Sequence, residues 1–257
     1  KAEWALIKQQ FGSLDKQVVI VLVAVAVLQT ISWYLTSRRF FRFELLPTLQ
    51  GLEKPMFYEF AYWFVGDFTV FFILPVLLIL FVHKKKPKEF GVTFGDYKTG
   101  LPITAVFLLF MMPILWISSG SAQFTLFYPH LYEAKTDWSI FLVYETGMLL
   151  YMIAWEFVWR GYMLFGLKER FGYTAVFIQM IPFVILHNGK PAAETFSSIA
   201  GGVILGMLAW RTGSFIYCAI THFGIMFIID LFASLRFRSG DYGIGVQSFI
   251  NALKQLW

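Results

Sequence analysis

The stretch Ala154-Trp155-Glu156-Phe157-Val158-Trp159-Arg160-Gly161 sets a glutamate and an arginine inside a run that is otherwise apolar. Four residues apart on a helix, Glu156 and Arg160 share a face, with the acid N-terminal to the base, the better orientation for such a pair. A lone charge in hydrocarbon costs several kcal/mol, so the pair is either a packing device or part of a functional site.

The rest of the chain supplies that hydrocarbon setting. Of its 257 residues 58% are hydrophobic and only 14% charged, far from the balance of a soluble domain. The fold expected is all-α, a polytopic transmembrane bundle of about seven spans in a single domain covering 1–257. Apolar runs of membrane-spanning length place the spans near 17–35, 57–82, 100–117, 138–165, 173–186, 194–210 and 214–235. The first run lacks a small-residue cleavage site and is followed by Arg38 and Arg39, which reads as a retained span and not a signal peptide. A net charge of +5 would suggest nucleic acid in a soluble protein. Here the basic residues fall between apolar runs, so membrane lipids with anionic headgroups are the expected partner and nucleic acid is not. The single cysteine, Cys218, has no intrachain partner and reads as a small packing residue.

One long polar interruption, from His83 to Gly100, carries Lys84, Lys85, Lys86 and Lys88. By the positive-inside rule this loop, and the N-terminus with it, faces the cytoplasm. The fifth run is short and contains Pro182, which removes a backbone donor and predicts a kink just before His187. After Gly243 and Gly245 the residues Val246, Phe249, Ile250, Leu253, Leu256 and Trp257 form a helical stripe, suited to an interfacial helix or to one packed on the protein.

Chemistry-bearing residues gather in the later spans. His187, Glu194 and His222 join Glu156 and Arg160, and Asp230 follows His222 by two turns. Glu156 and His222 lie at similar expected depths, about 15 and 13 Å from the cytoplasmic end at the helical rise, with His187 nominally deeper. A carboxylate and an imidazole sharing a water act as general base and orienter, while a second imidazole stabilises negative charge on a carbonyl. The reaction class that fits is hydrolysis of a peptide bond delivered from the membrane. Glu156 and His187 are the expected water-activating groups, with His222 at the oxyanion and Arg160 holding Glu156. Glu194 is a second candidate base, because Asn188-Gly189-Lys190-Pro191 can turn the chain back toward His187; the alternative is an interfacial carboxylate favoured by a helix start. The same histidines and acids are ligand types for zinc, although Arg160 beside Glu156 opposes a cation and no paired ligand motif is present. A path through Asp67, Glu145 and Glu156 leaves an ion or small-molecule transporter open, against the lack of any repeat in the hydropathy.

An acid four residues before Arg160-Gly161, the F-x-x-x-H of Phe183 to His187 and the later His222 resemble the CPBP family of CAAX prenyl proteases and bacteriocin-processing enzymes, also called the Abi family. Phe90 to Asp96 and Gly161 to Phe165 are similar to further family segments, and the likeness covers about 90–230. The resemblance implies a glutamate-dependent intramembrane endopeptidase acting on a membrane-associated protein or a C-terminal sorting tail, in the bacterial inner membrane. It also implies that the water-activating glutamate precedes the one paired with arginine. Trp155 stands at that position, and Met226 stands where the family carries an amide four residues after the last histidine. These two departures open another reading, a membrane scaffold or chaperone built on the same fold without turnover.

Overall fold

The computed structural model describes residues 2–256, so Trp257, the last residue of the expected C-terminal stripe, lies outside the described residues. Among the described residues six helices are long and apolar enough to cross a membrane: α2 (Lys16–Thr48), α3 (Pro55–Val82), α4 (Tyr97–Ser119), α5 (Trp138–Phe171), α7 (Ala192–Thr212) and α8 (Ile216–Ser239). An N-terminal helix α1 (Ala2–Gly12) precedes them, and α9 (Val246–Leu253) follows. The run expected as the fifth span is α6 (Thr174–Ile185), an apolar helix of only 12 residues. At about 1.5 Å per residue it extends some 18 Å, too short to cross alone. Pro182 lies in its last turn and the helix stops at Ile185, so the expected disturbance is a termination before His187.

Carboxylate caps open several of these helices. Asp15 accepts from the Val18 amide at the start of α2, Asp96 from Thr99 at α4, and Asp137 from Ser139 and Ile140 at α5, each satisfying donors that a helix start leaves free. Asp96 and Asp137 lie at the ends of the spans. Hydrogen bonds from Thr99, with Arg211 adding its charge, hold Asp96 below the usual carboxylate range. The Ile140 and Ser139 amides do the same for Asp137. Within α2 the helix is interrupted at Ser37, whose extended backbone lets its hydroxyl cap the next turn at Phe40. Asp67 of α3 supports the turn before that break, accepting from Ser32, Thr36 and Trp63.

The core is built by α5 and α8, which pack on each other, with α3 against α5, α4 against α8, and α6 against α7. Close approach of α4 to α8 depends on Gly100, where a Cβ would strike the Tyr217 ring. The outer surface is apolar because it faces lipid: Val106, Leu109 and Phe110 of α4 stand exposed, as do Val23 and Val27 of α2. α9 combines both roles foreseen for it. Phe249 packs edge-on against Trp116 and Phe232, while Val246 and Ile250 stay exposed. Arg236 ties down the chain leading into α9, donating to Ser119, to the Trp116 carbonyl and to the Gly243 carbonyl.

Candidate active site

Near its middle α5 changes gauge. It is α-helical to Glu156 and then widens into a π-helical segment, Phe157–Met163, that contains Arg160 and is buried throughout. Widened turns of this kind are frequent at functional sites because they re-aim side chains without breaking the helix. Gly161 makes room for it, since a Cβ there would collide with the Phe157 ring.

Glu156 and Arg160 do share a face. The Arg160 Nη1 donates to Glu156 Oε1 at 2.9 Å, and neither side chain has any exposure. The guanidinium also lies 3.9 Å over the Phe183 ring of α6. The same Glu156 oxygen accepts from His222 Nδ1 at 2.6 Å, so α5 and α8 are joined by a carboxylate held between a cation and an imidazole. A carboxylate oxygen only accepts, so Nδ1 of His222 carries a proton and Nε2 is the ring nitrogen left to act elsewhere.

His187 follows the end of α6. Its Nδ1 donates to the Phe183 carbonyl at 2.7 Å, which in the neutral ring leaves a lone pair on Nε2. The Thr195 hydroxyl donates to the His187 carbonyl at 2.8 Å and Gly189 adopts a positive φ of 95°, so Asn188 to Pro191 fold back on themselves. That turn brings Glu194, in the first turn of α7, to the same cavity as His187. Glu194 Oε1 accepts from Lys190 at 2.7 Å and Oε2 accepts from the Tyr128 hydroxyl at 2.5 Å.

This cavity, about 340 Å³, is walled by α4, α7 and α8. His187, His222, Glu194 and Tyr128 line it with Ser118, Ser197 and Ser198, set among apolar residues such as Phe110, Ile114, Ile204 and Met226. The two imidazoles are nearly parallel, 19° apart, with ring centres separated by 6.4 Å. Glu156 does not line the cavity; it stands behind His222. Trp155 packs on Tyr151, Trp159 and Phe183, with its ring 6.4 Å from that of His187.

The remaining acids lie apart. Asp230 of α8 and Glu145 of α5 are buried with no hydrogen-bond partner on any of their four carboxylate oxygens, and neither reaches the cavity. Asp67 is committed to hydrogen bonds from Ser32 and Thr36 of α2, and none of Asp67, Glu145 and Glu156 lines the cavity. For zinc the donor set fits poorly, because Glu156 already holds Arg160 and His222 and Glu194 already holds Lys190. Among the described residues no three His, Cys, Asp or Glu side chains converge as metal ligands. Tyr128 carried no sequence signal: it sits in the loop between α4 and α5, 66 residues from its partner.

Residues 136–228 match the family model for the type II CAAX prenyl endopeptidase, Rce1-like, a match consistent with the CPBP family. That segment holds Glu156, Arg160, His187, Glu194 and His222 and leaves out α2, α3 and α4. No curated protein and no solved structure matches the chain.

Proposed function

We propose that this integral membrane protein hydrolyses a peptide bond near the membrane, in a membrane-associated protein or a C-terminal sorting tail. The observation that carries the reading is the convergence of His187, Glu194 and His222 on one largely apolar cavity. Glu194 takes the proton of a water held by His187 Nε2, the role that pairs a carboxylate with an imidazole in general-base catalysis. His222 stabilises the oxyanion through Nε2. Glu156 orients His222 and supports its charge through Nδ1, and Arg160 orients Glu156. Lys190 and Tyr128 hold the Glu194 carboxylate at its two oxygens. An apolar wall suits a substrate that arrives from the bilayer, and a bacterial inner membrane is the location that goes with the reading.

The test uses purified protein in phospholipid vesicles, offered peptides with a prenylated C-terminus, a bacteriocin-type leader or a hydrophobic anchoring tail, in heavy-oxygen water. The expected result is cleavage of one class with the label in the new carboxylate, and a loss of about 10²–10⁴-fold in His187→Ala. Absence of any product from the unaltered protein, or equal cleavage by His187→Ala, overturns the reading. Tight binding of a peptide without cleavage favours the alternative of a scaffold, which draws on Trp155 packing beside His187 where the family places its base.

A further inference from the structure

Away from the cavity, sharing none of its lining residues, α2 and α3 leave an open groove of about 590 Å³. Its walls are Val19, Val23, Val27 and Ile31 of α2 with Leu74, Leu78, Phe81 and Val82 of α3, among other apolar residues, and they present almost no polar surface. An apolar cavity of about 150 Å³ already accommodates benzene, so a groove of this size suits a hydrocarbon chain.

One end of the groove is cationic. Val19 lies three residues after Lys16, on the same face of α2, and Val82 is followed by His83-Lys84-Lys85-Lys86. Both strands of chain are anchored to the same turn of α5: Gln17 donates to the Gly166 carbonyl at 2.8 Å, and Lys85 pairs with Glu169 at 3.4 Å. Lys16, Lys84 and Lys86 are therefore gathered at the mouth where Val19 and Val82 end the apolar wall, and all three are exposed. The lysines at this end, with Lys85 and Lys88, outnumber the acids. Asp15 caps α2, Glu89 accepts from the Lys86 amide, and Glu169 faces Lys85.

An apolar slot open to the bilayer with a cluster of lysines at one end has the two parts of an anionic phospholipid in the right order. We propose that the α2–α3 groove is a binding site for one anionic phospholipid, an acyl chain lying along Val19 to Ile31 and the phosphate held by Lys16, Lys84 and Lys86. A neutral lipid would fill the slot but leave the lysines without a counter-charge. A second copy of this chain would fill it too, but would bring no phosphate.

The protein would be reconstituted in an equimolar mixture of phosphatidylglycerol and phosphatidylcholine, extracted in mild detergent, and the retained lipid measured by native mass spectrometry. The expected result is one phosphatidylglycerol per chain, enriched about tenfold over phosphatidylcholine. The triple variant Lys16→Gln, Lys84→Gln, Lys86→Gln should lose that preference, and Ala24→Phe, which fills the slot, should lose retention of both lipids. Equal retention of the two lipids by the unaltered protein, an unchanged preference in the lysine variant, or a dimer that excludes lipid from the groove would overturn the proposal. Each variant lies outside the cavity and its helical circular dichroism reports whether it is folded.

Discussion

Glu156 and Glu194 are the same chemical group placed on two sides of one pair of histidines, and the structure treats them differently. Glu156 has no exposure and is bound by a buried arginine and a buried imidazole. Glu194 keeps about a fifth of its side chain exposed, shares a cavity with His187 and His222, and is held by a phenol and a partly exposed lysine. A fully enclosed, twice-bound carboxylate is suited to holding helices and orienting a ring. One at a cavity wall is suited to meeting a water. The contrast separates the carboxylate that holds His222 from the one that shares the cavity wall with it.

The strongest way to break this comparison is Glu156→Ala. It would leave Arg160 buried without its partner, a loss of about 3–5 kcal/mol, and thermal unfolding should show a large drop or no folded protein at all. A stable, folded Glu156→Ala protein would put Glu156 on the same footing as Glu194. Glu194→Gln should do the opposite, keeping the melting temperature within a few degrees while hydrolysis falls about 10²–10⁴-fold. Full activity in that variant would return the base to Glu156. Tyr128→Phe sharpens the comparison further: losing one hydrogen bond to the Glu194 carboxylate should lower activity about tenfold with a displaced acid limb in the pH–rate profile, whereas a purely structural Tyr128 would move only stability.

The smallest effect concerns the helix starts. Asp96 and Asp137 have lowered proton affinity when folded, so their ionised caps add stability above the unfolded carboxylate value of about 3.9, and that stability is lost as pH falls through the lower folded value. Asparagine is an equally good cap but does not titrate. A double Asp96→Asn, Asp137→Asn variant should therefore melt slightly below the unaltered protein near neutrality and converge with it under acid. A constant gap across pH would show that the charges of the two caps contribute nothing.

Much of the architecture was legible before any coordinates. Apolar runs of bilayer length predicted the spans, and five of the long helices contain the runs expected for them with ends displaced by a few residues; the first continues past Ser37 to Thr48. Only 173–186 fell short, because hydropathy reports composition while Pro182 and the turn after it set the length. The resemblance of the later spans to the CPBP family pointed to the region that the Rce1-like match covers. Tyr128 stayed hidden because its meaning depends on a contact across 66 residues, which no local pattern encodes.

Hydropathy and helical spacing are local properties, and they were enough to place the chain in a membrane, to pair Glu156 with Arg160 and to name the available histidines and acids. Only the tertiary structure decided which acid faces the cavity. The widened turn of α5, the end of α6 at Ile185 and the hydrogen bond from Thr195 to the His187 carbonyl all lie between these groups and the regular helices around them. Their sum places Glu194 at the cavity wall and Glu156 behind His222, a choice made by packing between helices and therefore absent from any one of them.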